Sequence, residues 1–452
     1  MDLPAELSRM QKPVSARRRS MVAAYFNALL WGVGNGLASM TLIIYWARHL
    51  DADGQTVSWL LAAPSLVGLL RLATPLLVAR LGSRKRFCIR YFLAAAVVLA
   101  VLPVLASPEW LKSVPHTLAG ITLVWVTYHL LEFMAAVAFW SWLGDLAPRR
   151  IRGAFLGKRQ ALMNVGKILG TLAALATTLL WQRHCKKYEI LEQEWKAYAA
   201  CCFAGVIAYL LAVYPLFRMQ DLPEWQVGHD GARKSKLPKT LSQLVTSIVQ
   251  PLADARFRKL LRFGVWFSLS NGIIQTAQSI FHTNYFSFAE KKTLDSVSRG
   301  AQASLLLWAG RLVDRRGNVP VLVFSQALIA CAPLFFLLAI SFGRWWVLGA
   351  YVCWLAYAGE NITQPNLMLG LSPRGKSTAY ASAWFAWTHL AFSMSILAGG
   401  WLFDWLKDDF QVSAWLASEF LREHLDHFAL LFLLSCVLKS IAVVWAKRVP
   451  EP

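Results

Sequence analysis

The sequence predicts an all-α membrane protein of twelve transmembrane helices in two pseudo-symmetric six-helix bundles, on three observations. The 452 residues are 57% hydrophobic and 16% charged, with a mean hydropathy of +0.44, too apolar and too charge-poor for a chain dissolved in water. Apolar runs recur along its whole length, each close to the ~20 residues that cross a bilayer core about 30 Å thick. One long polar stretch, 218–259, interrupts the series and leaves six runs on each side.

The runs place helices near 21–47, 56–80, 87–106, 117–147, 155–182 and 197–217, then 260–287, 296–313, 318–342, 345–371, 376–405 and 427–446. Residues 1–20 end in Arg17, Arg18 and Arg19 and read as a cytoplasmic tail, because the apolar run behind them is too long for a signal-peptide core. The bundles then span 21–217 and 260–446, with a cytoplasmic linker at 218–259 and a cytoplasmic tail at 447–452. The linker carries Gly228, Gly231 and Pro238. Its second part, Leu241 to Leu261, has apolar residues at helical spacing and suits either a helix on the inner membrane face or a solvated linker helix.

The net charge of +21 would suggest nucleic acid in a soluble protein. In a membrane protein it follows from short cytoplasmic loops, which collect Lys and Arg. Most of the 46 Lys and Arg fall in segments that an even helix count puts on the side of the termini. Both termini are therefore expected in the cytoplasm, in a bacterial inner (plasma) membrane. No basic stripe is interleaved with stacking aromatics, so no nucleic-acid partner is expected. The seven cysteines lie mostly in apolar runs, Cys185 alone falling in a predicted outside loop. Without C-x-x-C spacing, neither a disulfide framework nor a metal site is expected, and no cofactor.

Two short loops repeat at matching places in the halves. PLLVARLGSRKR, Pro75 to Arg86, follows helix two, and GRLVDRRGNVP, Gly310 to Pro320, follows helix eight; helix four ends in LAPRRIRG, Leu146 to Gly153, and helix ten in LSPRGK, Leu371 to Lys376. Parallel repeats of this kind mark one large transporter class. With these residues the chain resembles the major facilitator superfamily, whose signature after helix two, and more weakly after helix eight, is G-x-L-x-D-R-x-G-R-R. The second copy matches through Gly310, Leu312, Asp314, Arg315 and Gly317. The first keeps Arg80, Gly82, Arg84 and Lys85 but has Pro75 at the glycine position and Ala79 at the aspartate position. The resemblance implies that the aspartate latches the cytoplasmic helix ends. Asp145, beside Arg149, Arg152 and Arg159, is the candidate for a replacement latch in the first half, or else a solvated carboxylate among positive neighbours.

Charges inside a bilayer are costly unless paired or hydrated, so each is a functional candidate. At 1.5 Å per residue, Glu132 lies roughly 24 Å from Pro148, Lys167 roughly 21 Å from Gly153 and Glu360 roughly 20 Å from Pro373, all near mid-depth. Helices four and five, joined by a short loop, are expected to be neighbours, so Glu132 and Lys167 can meet as an ion pair that faces a cavity or that merely neutralises itself between helices. Repeat symmetry places Glu360 on the opposite wall. His129, one turn before Glu132, can hold or pass a proton. Asn27, Asn35, Asn164, Asn271, Gln275, Gln278, Asn361 and Gln364 add polar groups on the same helices. Among the 21 tryptophans, Trp31, Trp266, Trp384 and Trp387 lie on helices that the resemblance makes cavity-lining. Gly32, Gly34 and Gly36, like Gly166 and Gly170, read as close-packing positions.

These features predict a secondary active transporter, a monomer moving a small solute by alternating access with protons as a candidate coupling ion. A membrane-embedded enzyme on a lipid-linked substrate competes, but no G-x-S-x-G, H-E-x-x-H or two-carboxylate loop motif is present, and it leaves the repeat unexplained. A transporter-like protein that only binds or senses is supported by the degenerate first loop.

Overall fold

A computed structural model of the chain describes residues 3–49, 54–105, 114–190, 193–221, 225–227, 233–235, 241–373, 375–408 and 427–452. Gly228, Gly231 and Pro238 lie outside the described residues. Twelve helical spans follow in the predicted order. The first is α1 (Leu3–Leu37) with α2 (Met40–His49); the second is α3 (Gly54–Val67), a 3-10 segment Gly68–Ala73 and α4 (Thr74–Leu81). α5 (Arg84–Leu105), α6 (Val114–Leu146), α7 (Arg152–Lys187) and α8 (Trp195–Arg218) complete the first half. A small antiparallel hairpin, β1 (Trp225–Val227) and β2 (Arg233–Ser235), and α9 (Leu241–Ala253) connect the halves.

The seventh span is α10 (Ala255–Gly272) with α11 (Gln275–Tyr285), the eighth α12 (Phe288–Arg316) and the ninth α13 (Asn318–Phe342). The tenth is α14 (Val347–Trp354) with α15 (Tyr357–Leu371), the eleventh α16 (Ser377–Asp408) and the twelfth α17 (His427–Lys447). The helical pattern from Leu241 to Leu261 is thus two helices. Asp254 separates them and caps α10, its Oδ1 accepting the amides of Arg256 at 2.9 Å and Phe257 at 3.1 Å, the usual work of an N-cap carboxylate.

Among the described residues, eight helical stretches are long and apolar enough to cross a membrane by length and composition, namely spans one to six, nine and twelve. The other four differ for local reasons. Spans seven and ten are broken in mid-course, α12 begins with a charged turn, and α16 mixes Ser, Thr, Trp and His into its apolar run. All four belong to the second half.

Each half has its own core. In the first, Trp46, Trp125 and Tyr209 anchor one cluster and Trp142, Phe87 and Phe155 another. In the second, Phe281, Phe336 and Phe432 build one cluster and Phe257, Phe263 and Tyr380 another. The glycines of α1 and α7 act as the spacing suggests: a Cβ on Gly32 would collide with the Met163 carbonyl, and one on Gly170 with the Val33 carbonyl. Two helix backbones approach this closely only where small residues face each other.

That contact corrects one expectation. Despite the short loop between them, α6 and α7 are not packed along their length; α7 runs along α1 and, across the halves, along α12. The halves also meet where the second span packs on α16.

Candidate functional site

The inter-half seam holds a polar cluster near the middle of the second span. A six-residue 3-10 segment interrupts the second span and carries Arg71, which is 2% exposed. Its Nη2 lies 3.4 Å from Nδ1 of His389 on α16, in the opposite half, and its guanidinium lies 3.7 Å from the ring centroid of Phe133 on α6. Phe133 also packs edge-on against His389, with centroids 5.4 Å apart. On the same helix Glu132 is 3.7 Å from His129 Nδ1, and its charge acts on both Arg71 and Lys167. Two histidines, an arginine and a carboxylate therefore converge where the halves must slide if they move.

A second constellation lies within the second half. A cavity of about 370 Å³ is lined by Phe267, Ser268, Asn271, Gln275 and Gln278 of the seventh span, Trp354 and Tyr357 of the tenth, Phe392 of the eleventh and Lys439 of the twelfth. Both helix breaks open onto it. The seventh span breaks at Ile273 and Ile274, between Asn271 and Gln275, and the tenth at Leu355 and Ala356, between Trp354 and Tyr357. Irregular backbone at membrane depth is tolerated where it lines a cavity or is buried in protein. Asn271 organises the wall: its Oδ1 accepts from Lys439 Nζ at 2.7 Å and Tyr357 Oη at 3.0 Å, and its Nδ2 donates to the Phe267 carbonyl at 3.0 Å.

The third constellation sits at the end of the bundle that carries the repeated loops. Asp314 at the foot of α12 accepts the amides of Gly153 at 2.8 Å and Ala154 at 2.7 Å, two orphan donors at the start of α7. Gly310 makes the approach possible, since a Cβ there would meet the Gly153 carbonyl at 2.6 Å. Gly82 ends α4 with φ of +70°, and Gly317 ends α12 with φ of +89°, a region of backbone space that glycine enters freely.

In the first half, where Ala79 replaces the aspartate, hydroxyls cross the seam. Ser141 Oγ lies 2.7 Å from Ser377 Oγ and 2.9 Å from Thr378 Oγ1 at the start of α16. Arg84 supports it, donating to Ser141 at 2.8 Å and to Asp145 Oδ2 at 2.7 Å. Asp145 therefore pairs with Arg84 rather than with Arg149, Arg152 or Arg159. Arg152 donates to the Gly144 carbonyl at 3.1 Å, and the Arg159 guanidinium stacks over Phe139 and Trp140. Arg80, Arg149 and Arg315 are exposed and make no hydrogen bond or ion pair among the described residues.

Other expectations need correction. Glu132 and Lys167 form no contact ion pair among the described residues, because their helices diverge; the partner of Glu132 is His129. Asn27 donates to the Ala212 carbonyl at 2.8 Å and ties α1 to α8. Trp31 packs between Phe92 and Tyr209, and Asn35 lies beside Tyr209, so all three serve packing. Trp266 donates to the Leu438 carbonyl and Trp384 is buried beside Gly264; Trp387 keeps its Nε1 unpartnered among the described residues.

Glu360 is 2% exposed and bonds to Gln364 at 2.6 Å, with Oε1 unpartnered among the described residues. Asn164 is buried with its Nδ2 likewise unpartnered, and Asn361 is exposed. Only Asn271, Gln275 and Gln278 come together on one cavity wall. Sequence reasoning missed Arg71, Lys439 and His389 as site residues. The rule that flags charges in apolar runs was sufficient for the first two.

No family profile and no curated protein matches the chain. Solved structures do match. The fucose:proton symporter FucP of E. coli aligns over 97% of this chain and 100% of that one, at 11% identity and a TM-score of 0.66. The xylose transporter XylE from E. coli, in a partially occluded inward-open conformation, aligns over 97% and 98%, at 15% identity and 0.62. The human organic anion transporter MFSD10 aligns over 94% and 99%, at 13% identity and 0.61. The chain therefore has the major facilitator fold, two six-helix halves in one polypeptide, as its loop repeats led us to expect.

Proposed function

We propose that this protein is a secondary active transporter that moves a small solute by alternating access. The observation that carries the reading is the Arg71–His389 contact, a polar link between the halves at the depth where a facilitator must open and close. The Asp314 latch at one end of the bundle supports it, because partly exposed charge-assisted contacts of this size can bias an equilibrium between two states of similar energy. The neighbours of the same fold include a proton:xylose symporter and a fucose:proton symporter. Protons are the coupling ion we assign, with His129–Glu132 and the buried carboxyl of Glu360 as candidate carriers; a charged carboxylate with no cation beside it among the described residues is costly in such a setting. The basic asymmetry supports cytoplasmic termini, and we take the protein as a monomer of the inner membrane that moves its solute unchanged.

The test is flux in proteoliposomes holding the purified protein, with neutral sugars, organic anions and organic cations, each with and without a pH gradient. Saturable flux that the gradient accelerates is expected for at least one solute. No flux together with solute binding would favour the binding or sensing reading.

A further inference from the structure

Lys439 is held in an unusual way. It is 2% exposed on the last span, and no carboxylate lies within ion-pair distance among the described residues. Its hydrogen-bond partner is one neutral amide oxygen, Asn271 Oδ1, and that oxygen already takes the Tyr357 hydroxyl as well. An ammonium has three donors. One is used among the described residues, and the side chain lines the 370 Å³ cavity. A charge at this depth without a counter-ion is expensive to keep unless something else supplies the opposite charge.

The rest of the wall says what that is. Gln275 and Gln278, next to the seventh-span break, add amide groups. Phe267, Trp354 and Phe392 give flat apolar faces. The volume falls at the small end of ligand sites, which run from about 300 to 1,000 Å³. Resting on the transporter reading above, we propose that this cavity is the solute site and that the solute is a small organic carboxylate with an apolar or aromatic body. Its carboxylate completes the donor shell of Lys439, and its body lies between the rings. Asn271 and Tyr357 are positioning residues, since they fix the ammonium through the shared amide oxygen.

The probes are benzoate and phenylacetate, with benzamide and benzylammonium as isosteric controls of other charge. Thermal unfolding of the purified full chain in detergent should shift upward with the two carboxylates and not with the controls. Lys439→Met should lose that shift and Lys439→Arg should keep most of it; removing one charge-assisted bond corresponds to roughly tenfold or more in affinity. Equal shifts with benzamide, no shift with either carboxylate, or carboxylate binding unchanged in Lys439→Met each overturns the proposal. If Lys439→Met does not fold, the wild-type comparison of benzoate with benzamide decides alone. Flux of labelled benzoate in proteoliposomes separates the two readings. Carboxylate-selective binding without flux overturns transport and leaves the site, whereas flux of a neutral solute that Lys439→Met leaves unchanged overturns the site and leaves transport.

Discussion

Arg84 reaches Asp145 at 2.7 Å, yet the two partners live in different solvents: the arginine side chain is 1% exposed and the aspartate 48%. Removing the aspartate leaves a buried guanidinium without its counter-ion, though still bonded to Ser141, while removing the arginine leaves a carboxylate that water can hold. Asp145→Ala is therefore expected to cost more stability than Arg84→Met, by about 1–2 kcal/mol. The double variant should recover part of the loss. Thermal unfolding of the three purified proteins checks this, and the reverse order would show that the remaining partners of Arg84, Ser141 among them, set the cost.

The Asp314 latch joins α12 to two backbone amides of α7. Asp314→Ala should cost about 1–2 kcal/mol of stability, discounted for partial exposure, and should open the seam at that end. The readout is a cysteine at Ser141, a residue with no exposed surface. Its labelling rate should rise clearly in the Asp314→Ala background. Equal rates in both backgrounds would remove the latch from the gating scheme.

Glu132 lies near Arg71 and His129 rather than in contact with Lys167, which makes a double-mutant cycle informative. Glu132→Gln with Lys167→Met should show only weak coupling, below about 1 kcal/mol, since the two charges act on each other without touching. Glu132→Gln with Arg71→Met should show a larger coupling. A strongly coupled Glu132–Lys167 pair, measured by chemical unfolding, would contradict the observed geometry.

At its glycines the α1–α7 contact has no room for a side chain. Gly32→Ala and Gly170→Ala each drive a methyl group into a carbonyl of the facing helix, and overpacking of this kind costs about 1–3 kcal/mol. Loss of thermal stability is expected in both. Gly300→Ala serves as the control, because its nearest neighbour is the Ile168 side chain at 3.9 Å.

Span number, the two halves, the repeated turns and the small-residue faces were readable along the chain, because each depends on residues close together in sequence. Apolar length sets a span, a basic turn sets a loop, and glycines four apart share one helix face. The latch was half readable: Asp314 stood in its motif, while its partners, the bare amides of Gly153 and Ala154, carry no side-chain signature. The pairings across the membrane were decided by packing. α1 and α12 flank α7, so Lys167 was drawn away from Glu132. The 3-10 segment of the second span brought Arg71 to His389, residues 318 apart. Breaks in the seventh and tenth spans turned Asn271 and Tyr357 toward Lys439. Such contacts depend on how helices stack and where they bend, and no spacing along one helix encodes which residue of another will face it.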